Sequence, residues 1–167
     1  MYINSEGKKV LTGSGVYDIK PTPGSTRKPY KFEVIVDGED LVVRDARATW
    51  FGGKDDPLDS GSTASGINTK DNPDIMGCAL PLNYGPCVGS PLPKMPYKTT
   101  KVKVYNKSNG KIIVIPLIDL GPSPPPHAYA QIDLTQAAFK ALGGNLKTGE
   151  LSVSYRVLGG AKYIPKK

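Results

Sequence analysis

The sequence predicts a mainly β protein built as a small barrel, and three observations carry that expectation. Nineteen glycines and sixteen prolines punctuate the 167 residues, as short strands joined by shaped turns require. Two segments, Lys101-Val-Lys103-Val and 151–157, alternate apolar and polar residues with a period of two. Only one stretch, 137–142, reads as a helix. The length suits one domain with an N-terminal addition and one real core.

Taken in order, residues 1–29 read as an irregular arm, broken by Gly13-Ser-Gly15 and a Pro-Thr-Pro-Gly run. Residues 30–45 form a β-hairpin in which Phe32, Val34 and Val36 alternate, and Asp37-Gly38 turns the chain into Leu41-Val42-Val43. The domain organisation is therefore an N-terminal arm and hairpin over 1–45, a barrel over 46–158 and a basic tail over 159–167. The extension either packs on the barrel or attaches it to a larger assembly.

Residues 48–52 are the expected first barrel strand, and Trp50 on it reads either as a ring that stacks on a sugar or as a core residue. Asp55, Asp56 and Asp59 follow in an acidic loop that lacks the ligand spacing of a calcium site, so they read as solvated turn acids. Asp59 is held back as a candidate groove residue. Residues 67–97, dense in Asn, Asp, Gly and Pro, read as one long loop with at most a turn of helix. Cys78 and Cys87 lie within it. Their spacing suits a small disulfide loop, with two free thiols as the alternative.

Residues 101–118 form a hairpin turned at the Asn-Gly pair of the 106–110 segment. Its return strand, IIVIPLI, delivers Asp119. An ionised acid beside so apolar a run loses hydration that only good partners replace, so Asp119 is either paired or catalytic. A Pro-rich loop with His127 and Tyr129 then leads to Asp133. Thr135 looks like a helix cap, and Gly143-Gly144 stops the helix behind it. The alternating segment 151–157 closes the barrel.

Charge and the missing motifs narrow the function classes. The formal net charge is +7, and residues 93–118 carry six lysines and no acid. Such a hairpin attracts anionic polymers; alternation such as Lys101-Val-Lys103-Val is also what any half-buried strand shows. No nucleic-acid-binding motif accompanies the lysines, so nucleic acid is not an expected partner. No membrane span or signal peptide is visible. One histidine and two cysteines do not complete a tetrahedral zinc set, and no cofactor is expected.

The run VKVYNKSNGKIIVIPLIDLGP, then IDLTQAAFKALG and GELSVSYRVL, resembles the double-psi β-barrel of the rare lipoprotein A family and the first domain of expansins. Upstream, Ala48-Thr49-Trp50-Phe51-Gly52 is similar to the lipoprotein family's A-S-W-Y-G, and Thr63-Ala64-Ser65-Gly66 matches its T-A-S-G. The resemblance covers roughly residues 46–158 in the family's order. It implies a six-stranded double-psi barrel with one or two short helices, acting on cell-wall polysaccharide, either peptidoglycan or a cellulose-like glycan, in the cell envelope or outside the cell. Asp119 matches the family's acid. Its apolar approach strand favours the protonated form a general acid needs. Trp50, Asp59, Thr63, Ser65, His127, Tyr129 and Asp133 are the expected substrate-binding residues around it. The alternative role for Asp133 is capping the helix N-terminus.

The chain departs from the lipoprotein family at one point. The family's histidine, which stands shortly before an L-P-L segment, is replaced by Gly77 or Cys78; His127 approaches the same space from another direction, or is simply an exposed loop residue. A lytic transglycosylase manages with one carboxylate, which protonates the leaving oxygen and then deprotonates the sugar's own hydroxyl. The readings in play are such an enzyme using Asp119, a non-hydrolytic expansin-like binder using the same groove, and a structural component of a phage or secretion particle.

Overall fold

The computed structural model describes residues 2–3, 9–10, 16–19, 30–56, 60–81, 94–121 and 130–163, with side chains from Phe32 onwards. Ten strands and one helix run in the order β1 (Tyr2–Ile3), β2 (Lys9–Val10), β3 (Val16–Ile19), β4 (Tyr30–Asp37), β5 (Asp40–Phe51), β6 (Cys78–Leu80), β7 (Lys101–Asn106), β8 (Ile112–Leu120), β9 (Ile132–Thr135), α1 (Gln136–Ala141) and β10 (Leu151–Val157), and a short 3-10 turn follows at Gly160–Tyr163. Six strands close a ring, β5-β10-β7-β8-β6-β9, because β9 pairs back onto β5. Two of its pairings, β5 with β9 and β6 with β8, are parallel. This is the mainly β, six-stranded double-psi barrel that the sequence predicts, and the β4–β5 hairpin extends it.

Local signals account for most elements. The β7–β8 hairpin turns at Gly110, whose φ of 76° is open to glycine at no steric cost. Thr135 caps α1, its hydroxyl accepting from the Ala138 amide. At the other end Gly144 N–H donates to the Phe139 carbonyl and Gly143 N–H to that of Lys140, the paired bonds of a Schellman motif with Gly143 at φ 88°. The side-chain amides of Asn106 and Asn109 also donate to the Leu142 carbonyl, which ties the hairpin turn to the helix end. Inside the ring, Ala48, Leu80, Val102, Val104, Ile115, Leu117, Leu134, Phe139 and Val153 are fully buried.

Two expectations are corrected. The described parts of residues 1–29 are strands rather than irregular arm: β3 pairs with β4 from Val16↔Glu33 to Ile19↔Tyr30, and β2 pairs with β4 at Lys9↔Val36. An unpaired β4 edge recruits any short alternating segment that reaches it. The 67–97 stretch contains a strand, β6, whose three residues are all buried between β8 and β9. Asp55 is exposed in a turn, as expected, and Asp56 is half-buried. Asp55 exchanges hydrogen bonds with the Gln136 side chain, and Asp56 accepts from the Gly52 amide.

The boundary expected between residues 45 and 46 falls inside β5, one continuous strand shared by hairpin and barrel. Its pairing with β10 skips a step there, from Val43↔Tyr155 to Ala46↔Val153, and Asp45 takes a φ of 58°. A bulge of this kind bends a strand and increases its twist. The hairpin and the barrel wall therefore share one strand with a corner in it.

Candidate functional site

The register of four neighbouring strands sorts their side chains into two rows. Trp50, Leu134, Cys78 and Leu117 are successive partners across β5, β9, β6 and β8. All four belong to the core or pack on it. One step along each strand, Thr49, Asp133, Ala79 and Asp119 are partners in the same way. Partners share a face and successive residues alternate, so the second row lies on the outer face of the wall.

A bulge puts Asp119 in that outer row. Between Cys78↔Leu117 and Ala79↔Asp119 the β8 strand holds one extra residue, Ile118. Ile118 is fully buried, with its side chain against Gly77. Gly77 makes room for it, since a Cβ there would lie 2.9 Å from Ile118 Cδ1. The extra residue re-aims the strand end, and Asp119 comes out half-buried at the rim.

The Thr63-Ala64-Ser65-Gly66 turn grips this carboxylate. Ser65 N–H donates to the Ile118 carbonyl at 3.0 Å, docking the turn on β8. Ala64 N–H then donates to Asp119 Oδ1 at 3.0 Å, and Leu120 N–H donates to the same oxygen at 2.8 Å. Asp119 Oδ2 has no hydrogen-bond partner among the described residues. The two hydroxyls of the motif are occupied within the turn: Thr63 donates to the Ile67 carbonyl at 2.7 Å and bonds Ser65 Oγ at 2.9 Å. Gly66 sits at φ 87° with open space around it, so the turn needs glycine for its backbone conformation rather than for its size.

Asp133 lies two strands away with Ala79 between. At ~4.8 Å per strand step the backbones of the two acids are about 10 Å apart. Thr49 Oγ1 donates to Asp133 Oδ1 at 3.1 Å. Asp133 does not cap α1; Thr135 does, and the same Thr135 hydroxyl accepts from the Gly77 amide at 3.1 Å. A β-strand that runs straight into the helix places the second residue after Asp133, not Asp133 itself, at the cap.

The remaining site expectations fall as follows. Trp50 stands in the inner row, half-buried, with its indole N–H donating to the Leu146 carbonyl at 3.2 Å. The register does not bring it into the row of Asp119. Cys78 is buried with a free thiol, and burial, followed by the Asp133 charge, pushes that thiol well up. Asp59, Cys87, His127 and Tyr129 lie outside the described residues. Among the described residues no three of His, Cys, Asp and Glu converge as a metal site would need, and no helix is long and apolar enough to cross a membrane.

Sequence reasoning missed Tyr97. It packs half-buried on the core, and burial and then the Asp119 charge push its phenol up, which places the ring in the electrostatic reach of the acid. Lys98 beside it holds a φ of 69°, uncommon for a non-glycine, and donates its N–H to the Leu117 carbonyl at 2.8 Å. The Met-Pro-Tyr-Lys segment gave no periodic signal, because its role comes from docking on β8.

No family model matches the chain, and no curated protein matches it. Among solved structures it is similar to the Streptomyces papain inhibitor (SPI), at 25% identity and a TM-score of 0.47, over 72% of this chain and 96% of that one.

Proposed function

We propose that this barrel acts on cell-wall glycan as a peptidoglycan lytic transglycosylase, with Asp119 as its single acid/base. The supporting observation is the asymmetric hold on that carboxylate: two backbone amides fix Oδ1, and Oδ2 is left to meet a ligand. In the reaction, Asp119 gives its proton to the glycosidic oxygen as the bond to the sugar's anomeric carbon breaks. The resulting carboxylate takes the proton of the sugar's own 6-hydroxyl, whose oxygen closes on the anomeric carbon. The site is regenerated and no water is consumed. A protein with this role works in the cell envelope or outside the cell.

A second reading, polysaccharide binding without turnover, is favoured by a specific feature. Where the family's histidine would stand, Gly77 is filled by Ile118 and Cys78 faces the core, so no titratable group there assists Asp119. The deciding experiment incubates the protein, and Asp119→Asn, with intact and peptide-stripped peptidoglycan, then analyses soluble products by mass spectrometry. Anhydro-sugar fragments from the wild type alone establish the lytic reading. Sedimentation of both proteins with the wall, without fragments, replaces it with the binding reading.

A further inference from the structure

The outer face of β7 and β8 presents a small apolar cluster bordered by lysines along β7 and at the turn. On β7 the outward residues are Lys101, Lys103 and Tyr105, and their β8 partners are Pro116, Val114 and Ile112. Tyr105 is 42% exposed, Ile112 52% and Val114 55%, three of the five most exposed large hydrophobic residues described. Tyr105 faces Ile112 directly, and Val114 stands about 7 Å along the same strand from Ile112. Lys101 and Lys103 border this triplet on one side, and Lys107 and Lys111 border it at the turn. Lys107 is paired with Asp45. Lys98, Lys101, Lys103 and Lys111 have no acidic partner among the described residues.

We propose that this face docks on an anionic lipid surface, with Tyr105, Ile112 and Val114 entering the headgroup–acyl boundary and the lysines meeting phosphates around them. The proposal is independent of the chemistry at Asp119. A second copy of the chain is disfavoured as the occupant, because the same unpaired lysines would face one another. A purely anionic polymer would engage the lysines and give the exposed valine, isoleucine and tyrosine nothing to bury against. A lipid surface satisfies both groups, since lysine stems lie along apolar surface while their ammonium groups reach phosphate, and tyrosine favours the boundary. The face is also held rigid: Asn106 and Asn109 bond the hairpin turn to the Leu142 carbonyl, so docking orders no loop.

The test is co-sedimentation of the whole protein with vesicles of phosphatidylglycerol and phosphatidylcholine, and of phosphatidylcholine alone, at physiological salt. Binding to the anionic vesicles is expected, with little to the neutral ones. Lys103→Glu and Lys111→Glu should each weaken it at least fivefold, and Ile112→Ser with Val114→Ser roughly tenfold. Val114→Ser alone repeats the apolar arm if the double variant loses structure by circular dichroism. Absence of anionic-vesicle binding overturns the proposal. So does a serine variant that binds like the wild type while soluble polyphosphate displaces both, since that identifies a general polyanion site.

Discussion

The inner and outer rows of the barrel wall cross the same four strands, one residue apart, and do opposite things. Trp50, Leu134, Cys78 and Leu117 are core or pack on it; Thr49, Asp133, Ala79 and Asp119 form the outer row, which holds the proposed acid Asp119. On three of the four strands the difference is plain alternation. On β8 it is not, because Leu117 and Ile118 are both buried and the bulge delays the outward residue by one. The pleat separates core from surface, and a bulge chooses which residue stands at the edge of the site.

If the rows are truly divided, changes in one should leave the other's property alone. The largest effect is expected for Leu134→Ala in the inner row, a loss of about 3 kcal/mol in urea unfolding, with the remaining folded protein as active as before on wall glycan. Asp119→Asn in the outer row should do the converse: at least ~100-fold less soluble product with an unfolding midpoint close to wild type. A midpoint that collapses with Asp119→Asn would make the carboxylate a structural clamp and break the division.

Cys78 sharpens the comparison through pH. Its folded thiol is raised above the ordinary value of 9.0, so the folded state resists ionisation that the unfolded state undergoes. The contribution is complete below pH 9 and is lost as pH climbs beyond it, at up to ~1.4 kcal/mol per pH unit. Cys78→Ala should be less stable at neutral pH yet show a shallower alkaline decline, read from denaturation at several pH values. Gly66→Ala should cost about 1 kcal/mol through its positive φ and lower product release by displacing the Ala64 amide. The smallest effect is expected for Thr49→Val, ~1 kcal/mol or less, because Asp133 keeps a further partner; product release should stay within about twofold.

Much of this was legible because it is local. The Asn-Gly turn, the Thr135 cap, the Gly143-Gly144 stop and the alternation of residues 151–157 each announce themselves within a few residues, and each is present. The T-A-S-G motif and Asp119 both stand out in the sequence, and the Ala64 amide, 55 residues from Asp119, donates to its carboxylate. What escaped is what depends on distant partners. Strand β6 is three residues long and exists only because β8 and β9 flank it. Tyr97 reaches Asp119 only through docking on β8, and Asp55 becomes a helix contact only once Gln136 is folded beside it.

The ring closes on β5, whose barrel neighbours β9 and β10 both lie far along the sequence from it. As the chain emerges from the ribosome, β5, which ends at Phe51, must therefore wait until Ile132 for its first barrel partner and until Leu151 for its second. Pairings between such distant segments form slowly, on the scale of milliseconds to seconds. During that interval β5, already paired with β4, offers its other edge unprotected, and that is the chain's period of greatest exposure to aggregation.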